Sequence, residues 1–220
     1  MTHSPEPGSE KSRPAQGCFI VLDGIDGCGK STQATLVEKA LADRGMDVVL
    51  TREPGGTRIG RRIRQVLLDP ETGDTDPLTE ALLFCADRAE DVNSLIRPAL
   101  QEGKIVVCDR FASATAVYQG YAGELGFELA NTLNDIATRG LAPNLLIILD
   151  IDFENARNRL QETGREADRM ERNSRDYFER VREGFIKYAE THATSAVIVN
   201  ANRPIETVHK EIMAVVNRVL

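Results

Sequence analysis

The sequence has no surplus of positive charge: 27 lysines and arginines face 34 aspartates and glutamates, a formal net charge of −7. That balance excludes bulk binding to nucleic acid or to an anionic membrane surface. Any anionic ligand must therefore be held by a few placed cations. Histidine is scarce, and His3, His192 and His209 lie far apart, which excludes a histidine-rich metal centre. The four cysteines, Cys18, Cys28, Cys85 and Cys108, form no C-x-x-C pair. They read as reduced thiols of a cytoplasmic protein. No apolar run of about 18 residues is present, so no membrane-spanning helix is expected. Residues 1–16 hold three prolines and mixed charge without an apolar stretch. They read as a disordered leader, not a signal peptide.

What remains is a chain of 220 residues, 41% hydrophobic and 28% charged. That suits one globular domain, expected over residues 17–220. Short β-branched runs occur at 18–22, 47–50, 105–108, 145–149 and 196–199, apolar on both faces as in buried parallel strands. Helical stretches are expected between them at 31–44, 59–68, 79–102, 128–140 and 154–160, then at 175–190 and 205–220. Alternating strands and helices predict a doubly wound α/β fold with a parallel sheet. Ligands of such folds gather at the carboxyl ends of the strands.

The first strand runs into Gly24-Ile25-Asp26-Gly27-Cys28-Gly29-Lys30-Ser31, followed by Thr32 and a helix. This is G-x-x-x-x-G-K-[ST] in the strand–turn–helix context that gives it meaning. Glycines let the backbone curl its N–H groups onto phosphate oxygens, and the helix N-terminus adds its dipole. Lys30 would reach the β- and γ-phosphates, and the Ser31 hydroxyl suits Mg²⁺. No lysine sits in an [NT]-K-x-D guanine-reading motif. The strands end in Asp109-Arg110 and Asp150-Ile151, not in the Asp-Glu of hydrolysing ATPases. Transfer to a bound acceptor is favoured over hydrolysis.

Four arginine-bearing segments could hold that acceptor. Thr51-Arg52-Glu53-Pro54-Gly55-Gly56-Thr57 follows the second strand. Phe84 and Arg88 are four apart on a helix and share a face. They suit a stacking ring beside a hydrogen-bonding guanidinium, although a core aromatic beside an exposed arginine fits the same spacing. Asp109-Arg110-Phe111-Ala112-Ser113-Ala114-Thr115-Ala116-Val117-Tyr118-Gln119 ends the third strand. A polar connector containing Arg165 and Arg169, at about 160–172, suits a mobile lid or a solvated charged loop.

The segments GIDGCGKST, TREPGGT, LLFCADRAE, DRFASATAVYQ and ADRME, in this order, resemble bacterial thymidylate kinases from about Cys18 to near the C-terminus. The resemblance implies a P-loop kinase fold with a five-stranded parallel sheet, a homodimer, Mg²⁺, and phosphoryl transfer from ATP to dTMP on the way to dTTP. It implies that Phe84 stacks on thymine, Arg88 and Thr115 read its edge, and Tyr118 packs near the sugar 2′ carbon, with Gln119 beside them. It further implies that Asp26, Arg52 and Arg110 address the acceptor's sugar and phosphate, Ser31 and Asp109 the metal, and Arg165 the ATP phosphates. Arg159 and Arg169 remain rivals for Arg165's role. Gly27 places the chain with relatives whose extra arginine is in the lid and not in the P-loop. The sequence departs from the family pattern at Asp23, Ser113, Val117, Asn144 and Phe153. A deoxynucleoside kinase, another nucleoside-monophosphate kinase, or a non-catalytic nucleotide-binding dimerisation module are the alternatives.

Overall fold

The computed structural model describes residues 17–162, 164 and 174–220. The leader, the larger part of the expected lid, Arg165 and Arg169 lie outside the described residues. Five strands form one parallel sheet: β1 (Cys18–Asp23), β2 (Val48–Arg52), β3 (Ile105–Asp109), β4 (Leu145–Asp150) and β5 (Ala196–Asn200), in the order β2-β3-β1-β4-β5. The three inner strands are buried at consecutive positions, so both sheet faces are covered, as their continuous apolar runs require. The two edge strands depart from the sequence reading. Leu50 on β2 and Ile198 on β5 are both exposed, because each strand has a neighbour on one side only.

Helices α1 (Lys30–Asp43), α2 (Arg58–Leu68) and α3 (Pro77–Asp91) come first. Thr57 caps α2 by accepting the Gly60 N–H at 2.9 Å, and Asp76 caps α3 by accepting that of Thr79 at 2.9 Å. The single helix expected over 79–102 is in fact three segments. α3 passes into a π-helical stretch, Val92–Ile96, and then into α4 (Arg97–Gln101). Pro98 at the start of α4 has no N–H and crowds the carbonyl four residues back, which a wider turn relieves. After β3 come α5 (Ala112–Thr115) and a π-helical segment, Ala116–Tyr121, both absent from the sequence reading. That stretch has no apolar stripe of helical period. Gly120 there permits close approach of α6 (Phe127–Thr138): an added Cβ would lie 2.9 Å from the Ala130 methyl. Helices α7 (Phe153–Glu162), α8 (Arg175–Thr191) and α9 (Ile205–Val216) complete the fold, α9 ending short of the expected Leu220. Among the described residues no helix is long and apolar enough to cross a membrane.

Candidate active site

The sheet register assembles the site. Asp109 at the end of β3 is level with Leu22 on one side and Arg52 on the other. The loop after β1, the turn after β2 and the residues after β3 therefore share one edge. Arg110 leaves that edge with φ 76°, rare for a side chain larger than glycine, and donates its N–H to the Leu22 carbonyl at 2.9 Å. A backbone held in such a conformation is a feature of functional sites.

The loop 24–31 is built as the motif requires. Gly24, Gly27 and Gly29 all have positive φ, and α1 begins at Lys30. Gly27 is also closed sterically: a Cβ there would meet the Ala156 carbonyl of α7 at 2.3 Å. No side chain, arginine included, fits at 27 in this arrangement. Cys28 is buried, and burial pushes its thiol up from its ordinary value, so it is no reactive thiolate.

Asp26 is the centre of the arrangement. Its Oδ1 accepts from Lys30 Nζ and from Arg110 Nη2, each at 2.9 Å, and its Oδ2 accepts from the Tyr118 hydroxyl at 3.3 Å. Burial opposes ionisation of this carboxyl, but Lys30 and Arg110 outweigh it and hold it well below the ordinary range. Burial likewise opposes the charge on Lys30 and Arg110, and Asp26 holds both above their usual values. The Arg110 guanidinium also lies over the Tyr118 ring, 4.6 Å from its centroid.

Ser31 Oγ donates to Asp109 Oδ2 at 2.5 Å, while Asp109 Oδ1 is buried and without a partner among the described residues. Asp23, fully buried, accepts from the Gly24 N–H at 3.0 Å and from Ser113 Oγ at 2.6 Å, and so ties the phosphate loop to α5. Arg159 braces the other side. Its Nη1 donates to the Cys28 carbonyl at 3.3 Å and its Nη2 to that of Ala201 at 2.8 Å. A cavity of about 570 Å³ runs between these groups. Its lining includes Asp26–Gln33, Arg52, Glu53, Asp109, Arg110 and Arg159, and it extends to Arg203 and Ile205 past β5.

Phe84, Arg88, Thr115, Tyr118 and Gln119 are buried and do not line that cavity. Phe84 is buried yet outside the main core cluster. Gln119 Nε2 donates to Glu80 Oε1 at 2.9 Å. Arg88 is 1% exposed, not the surface arginine that spacing alone allowed. Its Nε donates to Glu53 Oε2 at 2.8 Å, its Nη1 to Thr115 Oγ1 at 3.0 Å and Asn134 Oδ1 at 2.6 Å, and its Nη2 to the Phe111 carbonyl at 2.9 Å. Four of the five N–H groups of a guanidinium are thus engaged.

Sequence reasoning missed the acids around Arg88. Besides Glu53, Asp87 Oδ1 accepts the Gly55 N–H at 2.9 Å, and Asp91 accepts from Thr51 Oγ1 at 3.0 and 3.1 Å. Burial pushes all three carboxyls up, Asp87 to about 6 and Asp91 to about 7, the latter aided by its proximity to Asp87. Glu53, inside TREPGGT, and Asp87, inside LLFCADRAE, lay within segments the sequence singled out, but no role was given to either; Asp91 lay outside them.

A glycine-rich strand-to-helix turn on a parallel sheet, with its lysine and an arginine from the neighbouring strand meeting at one cavity, defines a P-loop phosphate-binding protein. The family model described as thymidylate kinase matches residues 22–212. A thymidylate kinase of Symbiobacterium thermophilum is 48% identical over 202 residues, covering 92% of this chain and 94% of the relative. That of Pelotomaculum thermopropionicum is 42% identical, covering 93% and 95%. The crystal structure of thymidylate kinase from Ehrlichia chaffeensis superposes with a TM-score of 0.76 at 31% identity, over 91% of this chain and 99% of that one. The chain belongs to the thymidylate kinase family.

Proposed function

We infer that this protein transfers the γ-phosphoryl group of ATP to dTMP, giving ADP and dTDP. The observation that carries the reading is the sharing of Asp26 between Lys30 of the phosphate loop and Arg110 of the neighbouring strand end. One cation belongs to the donor side and one to the acceptor side, and a single carboxylate holds them together. Two polyanions can be brought head to head there. The acceptor oxygen needs no strong base, because a monophosphate with a second pKa of about 6 is largely dianionic at neutral pH. What the reaction needs is positioning and stabilisation of charge.

In this reading Gly24–Thr32 cradle the ATP phosphates. Arg52 and Arg110 grip the acceptor phosphate, Asp26 orients them, and Phe84, Arg88, Thr115, Tyr118 and Gln119 form the thymidine side. Arg165 closes on the ATP phosphates; Arg159, already engaged by two carbonyls, serves as a brace. Ser31 and Asp109 offer adjacent hard oxygen donors, one of them a buried carboxylate oxygen without a partner among the described residues, and this fits Mg²⁺. When bound there, the metal neutralises charge on the β- and γ-phosphates. A homodimer is supported by Leu78 and Leu82 on α3 and Phe127, Leu129 and Ile136 on the adjoining α6, all large, apolar and exposed. Its solution mass would be about twice 24.2 kDa. A cytoplasmic location suits the four free thiols.

The test is ADP formation from ATP and Mg²⁺ with dTMP, dUMP, CMP, AMP or thymidine as acceptor. Turnover is expected to be fastest with dTMP. Preference for thymidine over dTMP would overturn the reading, since a nucleoside hydroxyl needs a base and Asp26 is held as a poor one.

A further inference from the structure

The turn after β2 is joined to α3 by more bonds than its role as a carrier of Arg52 requires. Glu53 anchors it to the sheet through its N–H, which donates to the Asp109 carbonyl at 3.0 Å. Thr51 and Gly55 on either side reach Asp91 and Asp87 of α3. Gly56 and Gly60 permit the approach: a Cβ on Gly56 would lie 2.5 Å from Asp91 Oδ1, and one on Gly60 2.2 Å from Asp87 Oδ1. The turn and α3 are fixed to each other across that face.

At the centre of this contact Glu53 reaches Arg88, and the pair is nearly sealed from solvent, with both side chains 1% exposed. The other partners of Arg88 are neutral: a hydroxyl, a carboxamide oxygen and a backbone carbonyl. Glu53 is its only ion-pair partner among the described residues. All four bonds are donated by a charged group, but only Glu53 adds an opposite charge to its bond, and that contact does most to fix the guanidinium plane. The remaining N–H, on Nη2, is aimed by that plane. A guanidinium turned by a small angle would offer the base a different edge.

We propose that Glu53 is a positioning residue for acceptor recognition, its carboxylate holding Arg88 in the orientation that reads the base. The neighbouring acids serve the same end by fixing the turn from which Glu53 projects. This deepens the dTMP reading and rests on the assignment of Phe84 and Arg88 to the base.

The test compares binding of dTMP with that of 2-deoxyribose 5-phosphate, which keeps the sugar and phosphate but has no base. Binding is measured by calorimetry on the full chain and on Glu53→Gln. The variant keeps the shape and one acceptor oxygen and removes the charge. Affinity for dTMP is expected to fall about tenfold or more, affinity for the abasic compound to change less than about twofold, and the ratio of the two to collapse accordingly. Equal weakening of both ligands would show a merely structural role and overturn the proposal, as would an unchanged ratio. Should Glu53→Gln not fold, Glu53→Asp, which keeps the charge but shortens the reach, carries the same expectation. If the unmodified protein binds the abasic compound as tightly as dTMP, the base-site reading itself fails. That result is distinct from one in which only the variant disappoints.

Discussion

Asp26 shares one carboxylate between two buried cations, Lys30 and Arg110, whereas Glu53, Asp87 and Asp91 crowd around one, Arg88. Burial works against charge in both places. In the first, two cations outweigh it and the carboxylate stays ionised. In the second, burial prevails and the acids are pushed up, Glu53 and Asp91 also by repulsion from neighbouring acids. The ratio of cations to carboxylates thus decides what each cluster can do. The phosphate side keeps fixed charge, ready for polyanions. The second cluster keeps one ion pair, Glu53–Arg88, and holds Asp87 and Asp91 as carboxyls that burial pushes up, so it serves as scaffold.

The largest expected effect comes from breaking the charge-rich side. Arg110→Ala removes one of the two cations on Asp26 and is expected to lower kcat with dTMP by about 10³ or more, measured as ADP release under saturation. A change confined to KM would place Arg110 outside the reacting centre.

Asp26→Asn leaves Lys30 and Arg110 close together without their shared counter-charge. Loss of one partner of such a pair is expected to cost about 3 kcal/mol in urea unfolding without ligand. Saturating ATP should restore part of it, because bound phosphate supplies the missing negative charge.

Asp91→Asn tests the other cluster and should have the smallest effect. The folded carboxyl titrates near 7 and the unfolded one near 4, so the folded state holds a proton that the unfolded state has released. Stability therefore falls as pH rises through that window, by a contribution fully present below it. The variant keeps an acceptor for Thr51 and removes the proton. Its unfolding free energy is expected to decline less than that of the unmodified protein between about pH 5 and pH 8.

These two clusters were not equally legible in the sequence. Asp26 and Lys30 lie four residues apart in one contiguous motif. Its chemistry follows from a strand, a glycine-rich turn and a helix in that order. The strands and most helices were legible for the same reason: their signals are local. Arg88 meets Glu53 across 35 residues and Asn134 across 46, and only the sheet register and helix packing bring them together. Phe84 and Arg88 were visible as a pair, but no local pattern ties Arg88 to Glu53 in a turn 35 residues away. The segment Ala116–Tyr121 was missed because its fold depends on contacts with α6 and α8 and not on its own pattern.

The most direct measurement is carboxyl titration by carbon-13 NMR on the ligand-free protein, with signals assigned through Asp26→Asn and Asp91→Asn. Asp26 is expected to stay ionised, its shift flat from about pH 4 to pH 8, while Asp91 titrates with a midpoint near 7. Two aspartates titrating together near the ordinary carboxylate value would contradict the account.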